Sequence, residues 1–188
     1  MAQEETELTA SDQDNLLRLE KIGKGTALAR EISDLVGKSQ FFAEFSREDI
    51  AGLAEYMDVY RARPGEIIIR EGDAGDFMLL IIEGDVDILK KGVGGEQQHM
   101  TTVGPGMTLG EMSMIDGEPR FATCIAVEPV VIAVLNRESL ARIIVEQPLL
   151  GAKILMELVL MLSQRLRATS SRLLGLMDEQ SQRAANLL

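Results

Sequence analysis

The sequence predicts a mainly β fold with flanking α-helices: a β-roll or jelly-roll barrel, preceded by short helices and followed by a long C-terminal helix. Between Glu66 and Asn136, short extended segments alternate with glycine-containing turns at an even spacing, which is typical of such barrels. On either side of this region, apolar residues recur at helical spacing instead. The chain has 188 residues, of which 46% are hydrophobic and 26% charged, the composition of a globular protein that can bury one sizeable core.

Charge and cysteine content argue against several classes of function. A net charge of −11 disfavours nucleic acid as a partner, since phosphate backbones are bound by clustered lysine and arginine. The single cysteine, Cys124, excludes an intrachain disulfide and lies in an apolar stretch typical of a buried, reduced thiol. The sequence opens with no secretory signal, and no apolar segment approaches the roughly 20 residues that span a bilayer. We therefore expect a soluble, cytoplasmic protein that does not enter a membrane.

The N-terminal region is expected to contain a tail followed by helices. Residues 1–15 are acidic and polar and include no basic residue, so they bury too little apolar surface to offset the entropy of ordering. This segment is predicted to be a mobile acidic tail. Apolar residues at helical spacing within 16–40, interrupted at Gly23, predict two short N-terminal helices.

The barrel domain is predicted to occupy residues 41–146. It opens with a helix from Arg47 to about Tyr56, because Ser46 is a favourable N-cap and Asp49 follows at the third helical position. Apolar and β-branched runs bounded by glycine, proline and aspartate then predict the strands. These strands are Glu66–Arg70, Phe77–Ile82, Val86–Lys90, His99–Val103, Ala122–Val127 and Val130–Asn136.

Two helices are predicted to end the chain. Asn136 is a favourable N-cap for a helix that reaches about Glu146, and Pro148 then begins a second one that continues to Leu176 or beyond. The segment 147–188 is therefore expected to be a C-terminal helix with a short tail.

Leucine and valine residues of this last helix follow one another at alternating steps of four and three residues. A polar residue, Thr169, takes one place in the series, and this repeat is the pattern of a two-helix seam. We therefore predict a parallel homodimer. The alternative, one long helix packed on its own barrel, accounts for Leu155 and Val159 but leaves the later positions unexplained. The full series is Leu155, Val159, Leu162, Leu166, Leu173 and Leu176.

The stretch Gly104–Thr123, which reads GPGMTLGEMSMIDGEPRFAT, has the features of an anion-binding site. Backbone N–H groups at the start of a short helix lack helical partners and suit a phosphate, to which Arg120 can add a charge-assisted contact. Glu111 cannot bind phosphate, but its carboxylate suits sugar hydroxyl groups. The combination indicates a sugar phosphate, and the alternative is a glycine-rich hairpin turn with a solvated Glu111 and Arg120.

Two parts of this stretch, Leu109–Ser113 and Arg120–Thr123, resemble the phosphate-binding cassette of the cyclic nucleotide-binding domain family. The resemblance implies that Glu111 binds the ribose 2′-hydroxyl and that Arg120 binds the cyclic phosphate, with neighbouring backbone amides completing the site. Where the family often has a small residue or threonine, this chain has Phe121, which lacks the hydroxyl that cGMP-selective members use. This departure favours cAMP over cGMP as the ligand. The candidate residues around the two charged side chains are Gly110, Met112, Ser113, Phe121 and Ala122.

A second resemblance lies in the predicted C-terminal helix. The segment Arg165–Leu173 is similar to the dimerisation helix of bacterial catabolite activator proteins, in which a Thr-Ser pair reaches the adenine of cAMP. The resemblance implies that Thr169 contacts the base bound in its own subunit. It implies that Ser170 contacts the base held by the other subunit.

The predicted function is that of a stand-alone cyclic nucleotide sensor, because after Met177 too little sequence remains for a DNA-binding or catalytic domain. Its signal would pass to a separate, unidentified effector protein. The main alternative is a relative that binds no nucleotide and acts as an interaction or scaffold subunit. A barrel enzyme is a remote third, because His99 is the only histidine and neither a metal site nor a catalytic set can be assembled from it.

Overall fold

The architecture consists of two antiparallel β-sheets, one of which is covered by helices. The computed structural model describes residues 12–35 and 45–185, with side chains from Asn15 to Asp178 within those ranges. In chain order the elements are α1 (Asp12–Arg18), β1 (Glu20–Lys24), a 3-10 turn (Gly25–Leu28), α2 (Ala29–Asp34), α3 (Arg47–Glu55), β2 (Asp58–Ala62), β3 (Ile67–Ile69), β4 (Phe77–Glu83), β5 (Val86–Lys91), β6 (Gln97–Val103), β7 (Thr108–Leu109), α4 (Glu111–Asp116), β8 (Thr123–Ala126), β9 (Val130–Asn136), α5 (Arg137–Glu146) and α6 (Pro148–Ala185).

The two sheets pack face to face, as the predicted jelly-roll fold requires. One sheet has the strand order β1-β2-β9-β4-β7 and the other the order β3-β8-β5-β6. Alternate residues of β4 point to opposite faces of the first sheet. Phe77 and Leu79 lie in the core between the sheets, whereas Met78 and Leu80 lie in a second core beneath the helices. Burial on both faces explains why β4 is apolar without interruption.

The predicted helix starts in the barrel region are confirmed. The side chain of Ser46 accepts a hydrogen bond from the Asp49 N–H at 3.1 Å, and Asp49 accepts one from the Ser46 N–H at 2.8 Å, forming a capping box. Asn136 caps α5 by accepting a hydrogen bond from the Ser139 N–H at 2.7 Å. Because Lys153 of α6 forms a 2.6 Å ion pair with Asp49, the first cap also ties α3 to α6.

The N-terminal region differs from the prediction. Where two helices were expected, the structure has a helix, a strand and then a second helix, and α1 includes Asp12–Asn15 of the predicted tail. The strand, β1, forms because its backbone pairs with β2, and because Lys21 and Lys24 form ion pairs with Asp58 at 3.0 and 2.7 Å. Residues 1–11 of the tail and the predicted boundary at 40/41 lie outside the described residues.

Among the barrel strands, those predicted from apolar runs are confirmed within a few residues at each end. Two further strands, β2 and β7, were not predicted. Strand β2 forms the neighbour of β9 in the five-stranded sheet, and its two buried residues lie on opposite faces, Val59 in the core beneath the helices and Ala62 in the core between the sheets. Strand β7 pairs with β4 over two residues inside the glycine-rich stretch.

Among the side chains that the structure describes, those in the first half of the C-terminal helix α6 pack on the barrel. Its buried apolar residues there are Leu150, Ile154, Leu158 and Met161. Leu155 and Val159 are 42% and 58% exposed, which argues against the alternative in which packing on the barrel accounts for these two residues. Leu166, Leu173 and Leu176 are also exposed, and the predicted seam therefore forms an apolar stripe facing solvent. Although α6 has 38 residues, neither it nor any other described helix is apolar enough over a sufficient length to cross a membrane.

Candidate functional site

A short helix and its flanking glycines build the predicted anion-binding stretch. Helix α4 begins immediately after Gly110, so the glycine-rich stretch does contain the start of a short helix, as predicted. Gly110 has a φ of +81°, a left-handed conformation that favours glycine. A Cβ at this position would lie 2.6 Å from Nη1 of Arg120 and 2.9 Å from the Phe77 carbonyl oxygen. The chain therefore requires glycine where the guanidinium group packs against the backbone.

Arg120 is 3% exposed and is held from several directions. Its Nη1 donates hydrogen bonds to the carbonyl oxygens of Phe77 at 2.8 Å and Gly110 at 2.7 Å. Its Cζ lies 4.3 Å from the centroid of the Phe77 ring, a cation–π contact. Gly75 packs directly against the guanidinium group, since a Cβ there would overlap it. Gly75 was not predicted as a site residue.

The loop that contains Gly75 is itself braced by the N-terminal helix. The backbone of Arg120 donates to the Asp73 carbonyl oxygen and accepts from the Gly72 N–H, both at 2.9 Å. On the other side of the loop, Nδ2 of Asn15 in α1 donates to Oδ2 of Asp73 at 3.1 Å, and both side chains are buried. Helix α1 thus stabilises the loop that positions the arginine.

Glu111 is buried against α6, with 2% of its surface exposed. One carboxylate oxygen, Oε1, forms an ion pair with Arg165, whose Nη2 also donates to the Thr108 carbonyl oxygen at 2.8 Å. The other oxygen, Oε2, is buried and has no hydrogen-bond partner among the described residues. Burial raises the pKa of Glu111 above the usual range of a glutamate, while the positive charges of Arg165 and Arg120 oppose that rise.

Sequence reasoning missed the part that Arg165 takes in this site. The residue lies within the segment that resembles a dimerisation helix, but no role was assigned to it. Its position one helical turn before Thr169, and so on the same face of α6, is a signal that was present in the sequence. Only the packing of α6 on the barrel shows that Arg165 reaches Glu111.

A cavity opens at the point where these elements meet. Its charged lining residues are Arg120, Arg165 and Glu111, so the lining carries a net positive charge although the whole chain carries −11. An anion is therefore favoured inside it. Every candidate residue of the glycine-rich stretch lines the cavity: Gly110, Glu111, Met112, Ser113, Arg120, Phe121 and Ala122. The wall is completed by Ile69, Ile88, Leu109, Cys124 and Arg165.

The two candidate residues on α6 lie elsewhere. Thr169 and Ser170 are exposed and are absent from the cavity lining, and the Thr169 hydroxyl donates to the Arg165 carbonyl oxygen at 2.9 Å. The structure therefore unites the barrel residues of the predicted site and leaves the α6 pair on the helix surface. Within residues 12–35 and 45–185, no group of three histidine, cysteine or carboxylate side chains is placed to share a metal ion.

Comparison with known proteins gives matches over most of the described barrel. The sequence profile of the cyclic nucleotide-binding domain matches residues 59–147. A cyclic nucleotide-binding domain from Methylobacillus flagellatus, known from a crystal structure, is 37% identical with a TM-score of 0.77, covering 86% of this chain and 94% of that one. The catabolite activator protein of Thermus thermophilus is 30% identical with a TM-score of 0.65, covering 72% of this chain and 62% of that one.

A further relative of this chain is a transcriptional regulator. The CRP-like cAMP-activated global transcriptional regulator of Mycobacterium tuberculosis is 26% identical over 145 residues, which are 77% of this chain and 63% of the regulator. The match thus spans less than two thirds of that protein.

Three observations indicate the same family: the strand order, the cavity built on the glycine-rich stretch and the identity to the Methylobacillus domain. The chain belongs to the cyclic nucleotide-binding domain family.

Proposed function

We propose that this chain is a regulatory protein that binds cAMP in the barrel cavity and passes the signal to a separate partner. The observation that carries the proposal is that two buried groups line the same cavity. These are the guanidinium group of Arg120 and the Oε2 atom of Glu111. A buried carboxylate oxygen without a partner is costly, and a ribose hydroxyl would supply the missing donor. A phosphate would complete the other side of the site.

In this proposal, four residues of the cavity contact the nucleotide. Arg120 neutralises the cyclic phosphate, and backbone N–H groups of Phe121 and Ala122 donate to the phosphate oxygens. Glu111 accepts a hydrogen bond from the ribose 2′-hydroxyl. The site carries out no bond-breaking step in this scheme, so the protein acts as a sensor and not as an enzyme.

The ion pair between Glu111 and Arg165 supports a coupling between the cavity and α6. A ligand that donates to Glu111 changes the environment of Arg165, which is fixed to α6. If two copies pair through the exposed apolar stripe of α6, the ligand binds one arrangement of that pair more tightly than another. Such differential affinity is what allows a ligand to shift a conformational equilibrium. A homodimer, an effector partner, a stand-alone role and a cytoplasmic location all belong to the proposal.

Titration calorimetry tests the proposal most directly. Purified protein, unfolded and refolded to remove bound nucleotide, is titrated with cAMP, with cGMP and with a cyclic dinucleotide. We expect saturable binding of cAMP at one site per chain and weaker binding of cGMP. Absence of heat and of a thermal shift with all three ligands would contradict the proposal and favour an interaction subunit that binds no nucleotide.

We expect the affinity for cAMP to fall as the pH decreases from neutral toward the pKa of Glu111. Burial raises that pKa, and the ribose hydroxyl binds the ionised carboxylate more strongly, so protonation of Glu111 competes with the ligand. Below the pKa, the loss approaches about tenfold for each pH unit. Glu111→Gln is expected to flatten this dependence. His99→Gln is the control, since the sequence contains no other histidine, and an equal flattening there would contradict the assignment.

We expect base selectivity to depend on Thr169 and Ser170. The barrel residues bind the ribose and the phosphate, which cAMP and cGMP share. Phe121 has no hydroxyl that could form a hydrogen bond with guanine. Replacing Thr169 and Ser170 together with alanine should reduce the cAMP preference by one to two hydrogen bonds, about 1–3 kcal/mol. Competition binding of cAMP and cGMP measures the ratio. A double variant that keeps the full preference would place selectivity in the barrel wall.

A further inference from the structure

The residue after Arg120 presents an aromatic ring at the edge of the cavity. Phe121 lines the cavity and is 52% exposed, whereas its neighbour Arg120 is 3% exposed. Of the five phenylalanines in the sequence, Phe45 and Phe77 are buried in the two cores. An exposed phenylalanine beside a buried arginine gives the site one polar end and one aromatic end.

The ring is held in place by a lysine from the neighbouring strand. The Nζ atom of Lys90 lies 4.4 Å from the centroid of the Phe121 ring and donates a 2.6 Å hydrogen bond to the Phe121 carbonyl oxygen. The same ammonium group forms a 2.8 Å ion pair with Glu71, which also accepts a hydrogen bond from the Lys91 N–H at 2.8 Å. The Glu71 N–H in turn donates to the Thr123 hydroxyl at 3.0 Å. The Phe121 ring is therefore fixed by contacts with strand β5 and with Glu71, in the turn that follows β3.

The remaining wall of the cavity supplies little that could read the polar edge of a base. Besides the three charged groups and Phe121, the wall has one hydroxyl side chain, that of Ser113, and otherwise consists of apolar or small residues: Ile69, Ile88, Leu109, Gly110, Met112, Ala122 and Cys124. Stacking on an aromatic ring recognises the face of a base and needs no hydrogen bond. Phe121, fixed at the open end, has the chemistry for this contact.

We infer that Phe121 is the stacking platform for the nucleobase, and that it selects ligands by the size of the base face; the inference rests on the proposed function. Purines have a larger π-face than pyrimidines and gain more from the platform. Adenine and guanine both stack, so the platform separates purine from pyrimidine cyclic nucleotides and does not separate cAMP from cGMP. Lys90 is a positioning residue, because it acts on the ligand through the ring.

The test removes the ring from the protein and the base from the ligand. The wild-type protein, Phe121→Leu and Phe121→Trp are titrated with cAMP and with ribose 3′,5′-cyclic phosphate, which has the same sugar and phosphate but no base. Phe121→Leu is expected to weaken cAMP binding by roughly 5- to 100-fold and to leave the base-free ligand within about twofold. Phe121→Trp should retain cAMP binding, because indole also stacks.

A fluorescence signal distinguishes stacking from a general structural effect. The natural chain contains no tryptophan, so Phe121→Trp introduces a single reporter at the platform. We expect cAMP, but not the base-free ligand, to quench its emission. Val93→Trp, on the fully exposed hairpin between β5 and β6, is the matched control and should not respond.

The possible results separate the inference from the proposed function. If Phe121→Leu weakens both ligands equally, or if it leaves cAMP binding unchanged, the platform assignment is overturned and cAMP sensing stands. If the wild-type protein binds neither ligand, the proposed function fails and the platform fails with it. A loss of affinity for cAMP alone in Phe121→Leu, together with quenching of the Phe121→Trp emission by cAMP alone, is the result that supports the platform.

Discussion

Arg120→Ala is expected to weaken cAMP binding by about 2–5 kcal/mol, the loss typical when one half of a buried charged hydrogen-bonded pair is removed. The guanidinium group is 3% exposed, so water cannot replace it at the phosphate. Gly75, Gly110 and the Phe77 ring leave space for this planar group and for little else. Calorimetry at constant ionic strength measures the loss.

The control separates the charge of Arg120 from its shape. Arg120→Lys keeps one positive charge but loses the planar guanidinium group, whose Nη1 donates to the carbonyl oxygens of Phe77 and Gly110. We expect an intermediate affinity for this variant. Circular dichroism and thermal melting must show that both variants remain folded. Unchanged affinity in a folded Arg120→Ala protein would mean that the nucleotide binds elsewhere.

Leu166→Glu or Leu173→Glu is expected to convert a parallel dimer into monomers. In the proposed seam each leucine faces its equivalent in the second copy, so either variant would bring two like charges into an apolar contact. Each uncompensated charge costs roughly 3–5 kcal/mol. Sedimentation equilibrium should therefore give a mass near the 20.6 kDa of one chain, instead of twice that value for the unmodified protein.

Leu174 provides a matched control for this experiment. It is 62% exposed, close to the 58% of Leu173, but it lies about 100° further round the helix and so outside the seam. Leu174→Glu is expected to remain dimeric. Equal effects of Leu173→Glu and Leu174→Glu would argue against a specific seam, and a monomeric unmodified protein would exclude the dimer.

The fold could be predicted wherever local chemistry and burial point to the same structure. Ser46 and Asn136 are caps whose side chains bond to the backbone three residues later, so the helix starts depend on neighbours in the sequence. Strands β4 and β9 are apolar up to their last residue, which is exposed, because both faces of their sheet are covered. Glu111 and Arg120 could also be selected, because both lie in one short stretch with a recognisable spacing.

Features that depend on distant partners could not be predicted in this way. The segment Glu20–Lys24 is a strand because it pairs with β2, which lies far along the chain. Arg165 meets Glu111 only when α6 packs on the barrel, and the missing Cβ of Gly75 matters only because the guanidinium group of Arg120 occupies that space. Each of these contacts joins residues that are well separated in sequence, and a local pattern carries no information about which distant surface a residue will meet.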